Sequence, residues 1–160
     1  MKKAILFPGQ GAQYPGMGKT FYESNETFRQ MVDRAEDHVP YALRTIMFTS
    51  EAVHETRYAQ PALYVMGCAF HDALLKEGIH FDMAAGLSIG EYAALYARGV
   101  YDFKTGLEIV EKRARYMQKS AQLHETAMVA VRTDMRTAQN LMEVVEKGYI
   151  SNHNSDNQVV

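Results

Sequence analysis

The chain has 160 residues, 47% of them hydrophobic, and its 17 basic and 19 acidic residues give a formal net charge of −2. These values predict a soluble globular protein, and the interspersed charges argue against nucleic acid as a partner. No apolar run approaches the roughly 20 residues that cross a bilayer, and we expect no membrane association. Cys68 is the single cysteine, which excludes an internal disulfide and a cysteine-based zinc cluster, so we expect a cytoplasmic protein.

The N-terminal part predicts a strand, a loop and two helices. Ala4 to Phe7 is a short apolar run stopped by Pro8-Gly9, which is typical of a buried strand. The following loop, Gly9 to Gly18, is rich in glycine. Helical periodicity then covers Phe21 to Glu36 and Pro61 to Glu77, with the proline expected in the first turn and a glycine as the cap.

The same alternation continues to about residue 122. Phe81 to Ala85 predicts a second strand, and Glu91 to Arg98 predicts a helix that ends at a glycine. Asp102 is a suitable N-cap for a longer helix that runs to about Ala121. Because strands and helices alternate, residues 1–122 are predicted to form an α/β domain with a parallel sheet.

The pattern changes in residues 123–160. Thr126 to Val131 predicts a strand, Asp134 to Lys147 a helix, and Tyr149 to Asn152 a further strand. Gln158 to Val160 resembles a strand that is just beginning. We therefore expect a second, smaller subdomain that is incomplete at the last residue.

Ser88 is the candidate nucleophile. It is the centre of Gly86-Leu87-Ser88-Ile89-Gly90, between the predicted second strand and the next helix. A Gly-x-Ser-x-Gly turn of this kind projects the serine hydroxyl beyond the backbone, and its glycines avoid steric clashes. A helix N-terminus also favours developing negative charge. The alternative is that the glycines serve only packing and that Ser88 merely caps the helix.

An acyl-transferring serine needs donors for the oxyanion. The backbone amide of Ile89, directly after the nucleophile, is the expected first donor. Gln10 lies between Gly9 and Gly11 in the loop after the first strand, so its amide can approach a ligand closely and is the candidate second donor. A flexible surface turn is the alternative for this loop. Phosphate binding is disfavoured because the spacing of the loop's glycines misses the dinucleotide-binding fingerprint.

Arg113 is a candidate for binding a carboxylate on the acyl group. Of the neighbouring cations Lys112, Arg113 and Arg115, only Arg113 borders the apolar stripe of its helix. A guanidinium grips both oxygens of a carboxylate. The alternative is an arginine whose stem only covers apolar surface. The expected stripe consists of Phe103, Leu107, Val110, Ala114, Met117 and Ala121.

Several segments, in order, resemble the malonyl-CoA:acyl carrier protein transacylases and the acyltransferase domains of fatty acid and polyketide synthases. They are Phe7-Pro8-Gly9-Gln10-Gly11-Ala12-Gln13, Gln60-Pro61-Ala62-Leu63, Gly86-Leu87-Ser88-Ile89-Gly90-Glu91-Tyr92, Lys112-Arg113-Ala114-Arg115-Tyr116-Met117-Gln118 and Asn152-His153-Asn154-Ser155. The resemblance implies an α/β-hydrolase-like large subdomain for residues 1–122 and the start of a ferredoxin-like small subdomain for residues 123–160.

The resemblance also implies a ping-pong reaction. Ser88 takes malonyl from malonyl-CoA, and the phosphopantetheine thiol of acyl carrier protein then takes it from Ser88. By position in the matching motifs, Gln10 and Ile89 supply the oxyanion amides, and Arg113 binds the malonyl carboxylate. No metal or resident cofactor is implied, because the coenzyme A thioester is a substrate.

Two departures from the family pattern affect this interpretation. Leu87 stands where the family usually has histidine, and the family's general-base histidine matches none of the histidines here. We therefore expect an N-terminal portion, truncated or split, with exposed apolar surface that a second chain with the missing elements could cover. The alternatives are a non-catalytic module that binds acyl-CoA or carrier protein, and a serine esterase of the α/β-hydrolase type.

Overall fold

The computed structural model describes residues 2–123 and 127–160. These residues form two compact units, Met1–Gln122 and Leu123–Val160. Within the described ranges, no helix is both long and apolar enough to cross a membrane. The elements in chain order are β1 (Ala4–Phe7), α1 (Lys19–Ser24), α2 (Glu26–Glu36), α3 (Leu43–Thr49), a 3-10 helix (Glu51–His54), α4 (Thr56–Lys76), β2 (Met83–Gly86), α5 (Ile89–Ala97), α6 (Phe103–Leu123), α7 (Met135–Met142), β3 (His153–Ser155) and β4 (Gln158–Val159).

The larger unit contains a parallel pair of strands, β1 and β2, in which Phe7 lies opposite Gly86. Parallel neighbours require a long crossover, and helices α1 to α4 supply it here. Ile5 and Phe7 face the hydrophobic core, whereas Leu6 is 74% exposed on the other face of the pair. Together with the surrounding helices, this sheet confirms the predicted α/β class.

The helix predicted from Phe21 to Glu36 is two helices, so the prediction of one was wrong. Asn25 separates α1 from α2 with an extended backbone at φ −122°. Its side chain accepts a hydrogen bond from the backbone amide of Phe28 at 2.9 Å and thereby caps α2. Asparagine is disfavoured in a helix interior but favoured as an N-cap, because its short side chain bonds the unpaired amides.

Helix α4 begins at Thr56, five residues before the predicted start, and Pro61 lies inside it. The prediction failed because Gln60, a polar residue, is fully buried and interrupts the apolar pattern. The C-terminus is as predicted. Gly78 has φ +78°, its amide donates to the Leu75 carbonyl at 3.0 Å, and the Ile79 amide donates to the Leu74 carbonyl at 2.9 Å.

Helix α6 confirms the predicted cap and most of the predicted stripe. The side chain of Asp102 accepts a hydrogen bond from the Thr105 amide at 2.7 Å, and Phe103 begins the helix. The stripe is buried as far as Ala114, but Met117 is 44% exposed. The buried part of the predicted stripe therefore ends at Ala114, one turn before Met117.

The smaller unit combines α7 with the antiparallel strands β3 and β4. Val131 forms an isolated bridge to Val159, while Thr126 lies outside the described residues. The helix ends at Met142 instead of Lys147, since the β-branched Val144 and Val145 follow. The strand predicted from Tyr149 to Asn152 lies instead at His153–Ser155. The turn-forming residues of this region were expected to follow that strand, but only Asp156 and Asn157 form the hairpin turn.

Candidate active site

Ser88 occupies the sharp turn between β2 and α5. Its backbone dihedrals are φ 52° and ψ −109°, and it is the one residue other than glycine with positive φ in the described part of the chain. Such a conformation costs an ordinary residue about 1–3 kcal/mol and persists only where its surroundings fix it. Its side chain makes no helix-capping hydrogen bond. This observation contradicts the alternative in which Ser88 serves only as a cap.

The glycines on both sides of Ser88 are required by backbone crowding. A Cβ atom on Gly86 would lie 2.0 Å from the carbonyl carbon of Gly90, and one on Gly90 would lie 2.3 Å from the carbonyl oxygen of Phe7. The amide of Leu87 donates to that same Phe7 oxygen at 3.1 Å. The turn is therefore held against the end of β1, backbone on backbone, and leaves no room for side chains at the two glycines.

Arg113 reaches Ser88 from helix α6. Its Nη2 donates a hydrogen bond to the Ser88 Oγ at 3.1 Å, and its Nη1 donates to the Oε1 of Gln60 at 2.5 Å. The guanidinium carbon also lies 5.5 Å from the ring centroid of Tyr92. Arg113 is half-buried, whereas Lys112 and Arg115 are exposed. The structure thus brings together Ser88 and the one cation that the helical periodicity had selected.

Gln10 lies in the loop after β1, and its side chain is held at both ends. Its Nε2 donates to the Oγ1 of Thr56 at 3.0 Å, and its Oε1 accepts from the Nε2 of Gln60 at 3.3 Å. Nearby, the Gly11 amide donates to the side chain of Gln13, which is buried. These contacts argue against the alternative of a flexible surface turn, because hydrogen bonds from the Gln10 side chain fasten the loop to α4.

The backbone amides of Gln10 and Ile89 are the two candidate donors for an oxyanion. Across residues 2–123 and 127–160, no hydrogen bond between backbone groups uses either of these two amides outside regular helices and strands. Ile89 is the first residue of α5, so its amide has no partner within that helix. Neither N–H group is therefore engaged with another backbone carbonyl in the described residues.

Gln60 is a site residue to which sequence reasoning assigned no role. Its side chain is fully buried and joins Arg113 to Gln10, and its Nε2 also lies 3.2 Å from the Sδ of Met117. One sequence signal pointed to Gln60, namely a polar residue directly before a long apolar run. The helical periodicity begins at Pro61, however, and so it did not predict that Gln60 is buried.

Among the described residues, no histidine forms a hydrogen bond with the Ser88 hydroxyl. His71 is buried, and its Nδ1 lies 2.9 Å from the Oδ1 of Asp72, whose other oxygen accepts from the Tyr96 hydroxyl at 2.7 Å. That network joins α4 to α5 and does not include Ser88. Throughout residues 2–123 and 127–160, no group of three or more histidine, cysteine or acidic side chains is arranged to hold a metal ion.

Cys68 is not a second nucleophile. Its side chain is fully buried in the core. Burial raises the pKa of the Cys68 thiol well above its usual value, which disfavours the reactive thiolate.

Comparison with known proteins relates the chain to acyltransferases over nearly all its length. Residues 5–160 match the family model described as acyl transferase domain. The malonyl CoA-acyl carrier protein transacylase of Bacillus subtilis (strain 168) is 38% identical over 132 residues, which are 81% of this chain and 42% of that protein. The corresponding transacylase of Synechocystis sp. is 35% identical over 161 residues, covering 100% of this chain and 54% of that protein.

Solved structures show the same likeness in three dimensions. The crystal structure of the Synechocystis sp. PCC 6803 malonyl-CoA:ACP transacylase matches with a TM-score of 0.87 and 34% identity, over 99% of this chain and 54% of that chain. The chain spans about half the length of the curated relatives that it matches. Because the family model covers nearly the whole sequence and the fold agrees, the chain belongs to the acyl transferase domain family.

Proposed function

We propose that the chain carries the nucleophile half of a malonyltransferase site, in which Ser88 forms an acyl-enzyme. The observation that supports this most directly is the strained turn at Ser88 with its hydroxyl 3.1 Å from the Arg113 guanidinium. Both relatives described above are named malonyl CoA-acyl carrier protein transacylases. The donor substrate would be malonyl-CoA, and the acceptor would be the phosphopantetheine thiol of an acyl carrier protein.

The reaction would proceed in two displacements. In the first, the Ser88 Oγ attacks the thioester carbonyl carbon, the carbon–sulfur bond breaks, and the coenzyme A thiol leaves with a proton. In the second, the carrier thiol attacks the serine ester and the Ser88 oxygen recovers its proton. The amides of Gln10 and Ile89 would stabilise the oxyanion in both steps, because fixed donors need no reorganisation when the charge develops.

Arg113 would select an acyl group that bears a carboxylate. A guanidinium has five N–H donors, and its contacts with Gln60 and Ser88 leave others for a substrate carboxylate. Lys112 and Arg115 are exposed and are not part of this arrangement. Coenzyme A enters as a thioester substrate, so the proposed chemistry needs no resident cofactor.

The proton of Ser88 also needs an acceptor, which Arg113 cannot provide because its guanidinium only donates. The resemblance places the family's base at a histidine that none in this sequence matches. We therefore expect Ser88 in the 160 residues by themselves to be acylated slowly. The rate should be several orders of magnitude below that of a site with its base, if the site behaves like other serine enzymes that lack theirs.

The two compact units would correspond to the large and small subdomains of the family.

Intact-mass measurement of the chain with malonyl-CoA tests this proposal. A malonyl adduct should form slowly in the wild type, be absent in Ser88→Ala and weaken in Arg113→Ala, while the matched control Arg115→Ala keeps it. Binding of carrier protein without any adduct would support a non-catalytic binding module. Hydrolysis of simple esters without an adduct would support the esterase alternative.

A further inference from the structure

The side chain of Gln60 is the unexplained polar group of the site. It lies on α4, next to Pro61, and is fully buried. Burying an amide costs free energy unless it is hydrogen-bonded, so a leucine of similar size would suit an apolar position better. The presence of glutamine is therefore explained by the groups that it bonds.

Gln60 bonds the two groups that would contact the substrate. Its Oε1 accepts from Nη1 of Arg113, and its Nε2 donates to the Oε1 of Gln10 at 3.3 Å. Thr56, one turn earlier on the same helix, accepts from the other end of the Gln10 amide at 3.0 Å. One helix thus holds both the candidate carboxylate-binding cation and the loop with the candidate oxyanion donor.

We propose that Gln60 is a positioning residue that orients Arg113 for the substrate carboxylate, and thereby sets the preference for malonyl over acetyl groups; this rests on the proposed function. An arginine side chain loses rotamer freedom when it binds a ligand. Because α4 fixes Gln60, the Gln60 acceptor orders the guanidinium in advance and lowers that cost. An acetyl group has no carboxylate and gains nothing from this ordering.

The same geometry explains why Gln60 acts through neutral hydrogen bonds. A carboxylate at this position would pair with Arg113 and compete with the substrate for it. An amide accepts from the guanidinium without neutralising its charge, so Arg113 retains its attraction for an anion. This reasoning distinguishes glutamine from glutamate, which has nearly the same shape.

Calorimetric binding of malonyl-CoA and acetyl-CoA to the whole chain tests the inference without requiring turnover. Gln60→Leu should lower the affinity for malonyl-CoA by about tenfold, because one hydrogen bond to a charged group is lost, and leave acetyl-CoA within about twofold. Gln60→Glu should lower malonyl-CoA affinity at least as much. Tyr64→Phe is the matched control, since it removes a buried hydrogen bond to the Phe103 carbonyl from the same helix.

The outcomes separate this inference from the proposed function. If Arg113→Ala removes the malonyl preference while a folded Gln60→Leu keeps it, the positioning role is wrong and the proposed function stands. If the preference depends on Gln60 but no Ser88 adduct forms, the inference holds and the catalytic proposal fails. A wild type without any malonyl preference refutes both. If Gln60→Leu does not fold, Gln60→Glu decides, and an equal change for both thioesters overturns the inference.

Discussion

Replacing Gly90 by alanine should destabilise the larger unit, although Gly90 lies in helix α5. Helix propensity alone predicts the opposite, because alanine in place of glycine stabilises a helix by about 1 kcal/mol. The added Cβ would lie 2.3 Å from the Phe7 carbonyl oxygen and 2.6 Å from that of Pro8. Both are backbone atoms, so no side-chain rotation relieves the contact.

The magnitude follows from these distances. The backbones of β1 and α5 must separate by about 0.7 Å to bring the closest contact to the 3.0 Å at which real Cβ contacts begin. Overpacking of a well-filled site costs about 1–3 kcal/mol, and backbone contacts belong at the upper end. After subtraction of the propensity gain, we expect Gly90→Ala to lower the free energy of unfolding by about 2 kcal/mol.

Urea unfolding followed by far-ultraviolet circular dichroism measures this change, and intact mass reports whether Ser88 still forms an adduct. Gly99→Ala is the matched control, because Gly99 has φ +71° but nothing within 4 Å of its added Cβ. It should cost about 1–2 kcal/mol through backbone strain and leave the adduct unchanged. A Gly90→Ala chain that is as stable as the wild type, or more stable, would refute the crowding argument.

Three further predictions concern Arg113, a half-buried carboxyl and a helix cap. Arg113→Lys should reduce malonyl adduct formation but not acetyl adduct formation, because an ammonium cannot grip a carboxylate bidentately; equal loss of both would contradict the assigned role. Burial raises the pKa of the Glu111 carboxyl, so stability should fall as pH rises through that pKa, and Glu111→Gln should flatten the dependence in urea titrations at several pH values. Asn25→Ala should cost about 1 kcal/mol by removing the cap of α2, whereas an unchanged unfolding midpoint would show that the cap is not used.

The nucleophile turn was predictable because its signals are local and agree with one another. Glycines at fixed spacing, a short apolar strand before them and a helix after them all describe the turn around Ser88. Arg113 was also within reach, since helical periodicity distinguishes it from Lys112 and Arg115. The structure adds what local signals cannot contain, namely the 3.1 Å contact between residues 25 positions apart.

Gln60 shows where sequence reasoning fails. Periodicity treats a polar residue as a boundary, and this glutamine is instead fully buried within α4 by its long-range partners. The prediction of one continuous helix across Asn25 failed for a related reason. A single capping hydrogen bond to Phe28 outweighs an apolar pattern that continues across it.

The burial of Cys68 has a practical consequence for labelling. Because the only natural thiol is inaccessible and its pKa is raised, reagents that attack thiolates should leave the wild-type chain unmodified. A Ser88→Cys variant would place a thiol at the N-terminus of α5 beside the Arg113 guanidinium, a setting that lowers thiol pKa values. Such a chain would carry one accessible cysteine thiol, and a fluorophore or spin label attached to it could report events at the nucleophile position alone.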